Sequence, residues 1–80
     1  MNDNRLHLGM IGIEIDIICP IKHFREIIDN KIIVSFKSKI SATKGYKYIA
    51  SRYNNVTMFN NMKFSVVKDN DKVIVSYTNI

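Results

Sequence analysis

The sequence predicts an α+β fold. It reads as a small two-layer single domain, with a mixed three- to four-stranded sheet, two short helices and a C-terminal β-hairpin, in the order β-α-β-α-β-β. Three observations carry this expectation. Ile11, Ile13, Ile15 and Ile17 alternate strictly with Gly12, Glu14 and Asp16, the period of a strand with one buried face. Pro20 opens a run whose apolar residues fall at helical spacing. The chain ends in two apolar arms that match residue for residue across Asn70-Asp71.

Eighty residues make one domain, residues 1–80, and a hydrophobic fraction of 46% is that of an ordinary globular protein. Residues 1–4 are polar and expected to fray. Leu6, Leu8 and Met10 alternate on the opposite parity from Ile11–Ile17, so a β-bulge or sharp bend is expected at Gly9–Gly12. Cys19-Pro20 should end the first strand. Ile21, Phe24, Ile27 and Ile28 then form the stripe of a short helix that a left-handed Asn30 can stop. A right-handed crossover through Pro20–Asn30 would leave the first two strands parallel.

Lys31–Ile40 reads as the second strand, with Ile32, Val34 and Phe36 on one face and a basic opposite face. Ser41–Asn54 reads as a helix capped by Ser41 or Thr43, burying Ala42, Tyr46, Ile49, Ala50 and Tyr53. Gly45 opposes this by about 1 kcal/mol relative to alanine, and the tyrosine-rich run Tyr46–Tyr53 also has strand propensity. Val56–Phe59 is a strand start or a loop. In the last hairpin a two-residue Asn70-Asp71 turn sets Val66 opposite Val75 and Phe64 opposite Tyr77. On the other face Val67 meets Ile74 and Ser65 meets Ser76.

The net charge is +5, with a pI near 9.5. No acid lies between Asp29 and Asp69, whereas that interval holds Lys31, Lys37, Lys39, Lys44, Lys47, Arg52, Lys63 and Lys68. Such asymmetry points to an anionic partner. An AT-rich coding style, visible in the wealth of Asn, Lys and Ile, would give the same lysines without one. The single Cys19 excludes an internal disulfide framework and fits a reducing compartment. No apolar run is long enough to span a bilayer, and acids interrupt the N-terminal apolar stretch. A soluble cytoplasmic protein without a membrane partner is expected.

Candidate chemistry is sparse. On a strand, Glu14 and Asp16 would share a face about 7 Å apart. With no third acid nearby they read as a solvated face, or one paired with Lys37 or Lys39. Cys19 at a helix N-terminus, with His23 four residues on, would resemble half of a zinc site or a thiolate nucleophile with its base. His7 is the only other histidine, so a buried structural cysteine is the simpler expectation. Lys44-Gly45 lacks the first glycine and the following Ser/Thr of a phosphate loop.

The strongest functional signal is the set Lys37, Lys39, Lys44, Lys47, Tyr48 and Arg52, with Tyr53 beside it. Lysine and arginine attract phosphates, and an exposed tyrosine can stack on a base. On a helix, Lys44, Lys47, Tyr48 and Arg52 lie to one side. The expectation is a small non-enzymatic protein that binds nucleic acid or a nucleoprotein complex, without metal or cofactor. Its size and coding style suit an accessory protein of a virus or mobile element. The rival is a protein-interaction module, an inhibitor, adaptor or homo-oligomer docking by an edge strand or apolar patch.

Overall fold

The computed structural model of the protein describes residues 5–80, so the fraying expected for residues 1–4 lies outside the described residues. The order is α1 (Arg5–Ile18), β1 (His23–Ile28), β2 (Lys31–Phe36), α2 (Lys39–Tyr53), β3 (Thr57–Met58), β4 (Met62–Asp69) and β5 (Lys72–Asn79). The five strands form one sheet in the order β1-β2-β5-β4-β3, and every neighbouring pair is antiparallel. The fold is thus α+β, but the sheet is neither mixed nor limited to four strands.

The first two elements exchange types relative to the sequence expectation. Ile11–Ile17 belongs to α1, and Gly9 and Gly12 lie inside that helix instead of at a bulge. Leu8, Ile11 and Ile15 repeat at helical spacing and are buried, with Ile18 packed at the core's margin. Ile13 and Ile17, the other half of the alternation, face water. The period of two is present in the residue order but does not report burial, because this helix is apolar on two sides.

Ile21–Asn30 is a strand and turn instead of a helix. An isolated helix of about ten residues is marginal, whereas pairing with β2 satisfies the backbone from His23↔Phe36 to Ile28↔Lys31. His23, Arg25 and Ile27 turn inward, and Phe24, Glu26 and Ile28 turn outward. Asp29, not Asn30, takes the left-handed conformation in the turn, with φ 56°. A hairpin therefore replaces the crossover, and no parallel pair forms.

β2 stops at Phe36 because Ser38 caps α2: the Ser41 amide donates to Ser38 Oγ at 3.1 Å. The helix starts earlier than Ser41 but buries the expected side, Ala42, Ile49 and Tyr53, with Tyr46 and Ala50 at its margin. Gly45 lies on that buried side because a Cβ there would overlap the Phe36 ring. The C-terminal hairpin has the predicted register throughout, including Val66↔Val75, Phe64↔Tyr77 and Val67↔Ile74. The Ser65 and Ser76 hydroxyls lie 3.2 Å apart, and Asn70 supplies the positive φ of the turn, at 59°.

The core lies between the helices and one sheet face, where Ile32, Val34, Phe64, Val66, Val73 and Val75 meet Leu8, Ile15, Ile49 and Tyr53. The N-terminal end of α1 is tied to the β3–β4 turn by His7, which stacks on Phe59 with centroids 4.2 Å apart. Phe59 holds a φ of 51°, unfavourable for an aromatic residue. Val67 and Phe24 emerge on the sheet face that the helices leave open, exposed by 53% and 77%.

Candidate nucleic-acid interface

α2 is the element that gathers the basic residues. Its buried residues Ala42, Gly45, Ile49 and Tyr53 fix the rotation of the helix on the sheet. Lys44, Lys47 and Tyr48 are then turned to water as i, i+3 and i+4 neighbours. Tyr48 is 46% exposed, unlike Tyr53, which is fully buried. Of the tyrosines in this helix, Tyr48 is therefore the one presented to a ligand. Lys39 opens the helix and Lys37 immediately follows β2, both exposed. Among the described residues, Lys37, Lys39, Lys44 and Lys47 have no carboxylate within ion-pair distance.

Arg52 differs from the other members of the set. It lies on the flank of α2 that faces α1, where Nε and Nη2 donate to the two oxygens of Glu14 at 3.1 Å each. The Tyr53 hydroxyl donates to the same carboxylate. The Arg52 and Tyr53 hydrogen bonds hold the Glu14 carboxyl below its ordinary range. Burial, reinforced by the Glu14 charge, pushes the Tyr53 phenol up. The Arg52 charge is thereby neutralised within the chain, so the basic face consists of Lys37, Lys39, Lys44 and Lys47. The residue pattern places Arg52 correctly on the helix but carries no sign of a partner 38 residues away.

Lys37 also borders a shallow cavity of about 310 Å³ at the end of the β1–β2 hairpin. Lys22, His23, Phe24, Ser35 and Phe36 complete its lining. Two cations flanking aromatic walls extend the basic surface beyond α2.

The remaining candidates resolve into internal contacts. Glu14 and Asp16 do not share a face, because the helix sends them to opposite flanks. Nor do they meet Lys37 or Lys39. Asp16 accepts from His23 Nε2 at 2.8 Å and from Arg25 Nε at 2.9 Å. Burial works to raise its pKa, but these hydrogen bonds prevail and hold it below the ordinary value. Cys19 lies past the C-terminal end of α1, its amide bonded to the Ile15 carbonyl at 2.9 Å, and not at a helix N-terminus. Burial, assisted by the Asp16 charge, raises the thiol pKa. His23 points Nδ1 at the Ile21 carbonyl, 2.6 Å away, and Nε2 at Asp16, so neither nitrogen serves the sulfur. Among the described residues, no three His, Cys, Asp or Glu side chains gather into a metal-holding group. No described helix is long and apolar enough to cross a membrane.

Comparison with known proteins finds no matching family model, no matching curated protein and no matching solved structure.

Proposed function

We propose that the protein is a cytoplasmic, non-enzymatic binding protein that contacts nucleic acid, alone or within a nucleoprotein complex, through the exposed face of α2. The observation that carries this reading is the meeting of Lys44, Lys47 and Tyr48 on one side of a helix that contains no acid. Lys39 and Lys37 continue the positive surface at the start of that helix. Lysines so placed neutralise phosphates and release counterions, and Tyr48 offers a ring on which an unpaired base can stack. Stacking favours single strands over duplexes.

Fluorescence anisotropy with labelled single-stranded and duplex oligonucleotides tests this. Affinity should fall steeply with salt, and Lys44→Ala with Lys47→Ala should lower the salt slope by roughly 0.7 to 0.9 for each phosphate no longer neutralised. Tyr48→Ala should weaken single-strand binding by about 1–3 kcal/mol. Lys68→Ala, an exposed charge on the far hairpin arm, is the control for net charge and should change little. Salt-independent binding, or equal losses from the Lys68 variant, would overturn the assignment of α2 as the interface.

A further inference from the structure

We infer that two copies of this chain pair through α1, packed antiparallel about a two-fold axis. The inference goes beyond nucleic-acid binding and uses a different surface. α1 carries two apolar stripes. One, centred on Leu8, Ile11 and Ile15, is buried in the core. The other, Leu6, Met10, Ile13 and Ile17, is 73%, 53%, 58% and 78% exposed. A surface helix normally shows water a polar face, and one that is apolar all round is buried on both sides. The outer stripe has spacings of four, three and four, the d-a-d-a spacing with which one helix seats knobs in another.

Gly9 lies within that stripe, between Leu6 and Ile13. In mid-helix, glycine is unfavourable relative to alanine. Gly12 and Gly45 offset such a cost by admitting Arg25 and Phe36, but a Cβ on Gly9 would meet nothing within 4 Å. Nothing in the described single chain uses the space at Gly9. A second helix approaching closely would use it.

The order of the stripe selects a second copy as the occupant. An antiparallel pairing that sets Leu6 against Ile17 of the second copy also sets Met10 against its Ile13, so the surface is self-complementary. Glu14 and Asp16 border one end of the stripe. A parallel pairing would bring the Glu14 flank of one helix against the Asp16 flank of the other at nearly the same height, whereas an antiparallel one sets both acids beside residues 5–12 of the second copy, which include no acid. Arg52 and Arg25 already neutralise them, so no unpaired charge is stranded at the margin. At these exposures the four side chains offer on the order of 500 Å² per copy, so the stripes alone bury at most about 1,000 Å² in the pair, at the lower limit for a specific interface.

Sedimentation equilibrium of the full chain tests the pairing, with circular dichroism to confirm folding. The expected mass is twice the 9.3 kDa of one chain. Ile13→Lys and Ile17→Lys change water-facing positions, so they should fold normally and weaken dimerisation by about tenfold or more by placing a charge in the seam. Val67→Lys, on the open sheet face, should leave the dimer intact. Mild oxidation of a mixture of Leu6→Cys and Ile17→Cys chains should give the mixed disulfide, while each variant alone should not cross-link. A monomer at all concentrations, a dimer indifferent to Ile13→Lys, a dimer broken by Val67→Lys, or self-cross-linking of either cysteine variant would overturn the inference. None of these readouts depends on nucleic acid, so the two proposals stand or fall separately.

Discussion

Arg52 on α2 grips Glu14 on α1 with a two-pronged contact, Nε to Oε1 and Nη2 to Oε2, both at 3.1 Å. A second acid on α1, Asp16, is held by His23 and Arg25 of β1. The helix is thus pinned by carboxylates on both flanks, one to α2 and one to the sheet edge.

These pins predict acid sensitivity. Glu14 is held below its ordinary 4.5 by Arg52 and Tyr53. Asp16 is held below 3.8 because hydrogen bonds from His23 and Arg25 outweigh its partial burial. A carboxylate depressed in the folded state contributes stability that is complete above its unfolded pKa and is lost as pH falls through its folded pKa. Urea midpoints should hold steady from pH 7 to about 5 and decline toward pH 3, and Glu14→Gln with Asp16→Asn should flatten that decline. Both side chains are more than a third exposed, at 36% and 47%, so screening keeps the effect modest. A wild-type curve no steeper than that of the double variant would show that the pins contribute nothing.

Glu14 also links stability to the basic face. Glu14→Ala leaves the Tyr53 hydroxyl, on a fully buried residue, without its acceptor, at a cost of about 1–3 kcal/mol. Tyr53→Phe removes the hydroxyl together with its need for a partner and should cost about 1 kcal/mol or less. Glu14→Ala also releases Arg52 beside Lys44 and Lys47, so it should bind oligonucleotides more tightly with a steeper salt slope, whereas Tyr53→Phe should not. Thermal melts and anisotropy on the two variants measure both effects. Unchanged oligonucleotide affinity in Glu14→Ala would place Arg52 outside the binding face.

Part of this arrangement is legible in the residue order. The C-terminal hairpin is, because Phe64, Val66, Val75 and Tyr77 agree in register with Ser65 and Ser76 on the opposite face, and a one-residue slip breaks both matches. α2 is legible, and with it the outward placement of Lys44, Lys47 and Tyr48. α1 is not. Ile11, Ile13, Ile15 and Ile17 satisfy a period of two, and the stripes Leu8-Ile11-Ile15 and Leu6-Met10-Ile13-Ile17 satisfy a period of 3.6. Only tertiary packing decides between them. Reading those isoleucines as one buried strand face hides Ile13 and Ile17 in the core, and the outer stripe disappears with them. The alternation of four- and three-residue steps among Leu6, Met10, Ile13 and Ile17 is the signal that could have revealed it.

The two close-packed glycines predict opposite sensitivities. At Gly45 an added methyl would overlap the buried Phe36 ring, which is enclosed by the core and has little freedom to retreat. Gly45→Ala should destabilise by about 1–3 kcal/mol, because overpacking outweighs a helix-propensity gain of about 1 kcal/mol. At Gly12 the obstructing atoms belong to the Arg25 side chain, with Nη1 at 2.9 Å. That chain can yield by a few tenths of an ångström at some cost to its hold on Asp16, which a helix-propensity gain of about 1 kcal/mol offsets, so Gly12→Ala should be near neutral. Chemical denaturation of both variants checks the contrast, and a stabilised Gly45→Ala protein would contradict the packing of Phe36 on α2.

Cys19 gives a direct test of the reassigned N-terminal region. On the strand-then-helix reading the thiol would sit at a helix N-terminus, where its pKa falls and its reactivity rises. In the structure it follows the C-terminal end of α1 and is only 3% exposed, with Sγ 3.8 Å from the Ile21 carbonyl. Burial, with the nearby Asp16 charge, raises its pKa above the ordinary 9.0. Both access and thiolate fraction are therefore reduced. Reaction with a disulfide reagent at pH 8 should be at least about tenfold slower in the native protein than in urea. It should accelerate on Ile15→Ala, which opens the buried side of α1 against which the thiol lies. Native reactivity equal to that of the unfolded chain would mean that Cys19 is exposed and that α1 does not end where the structure places it.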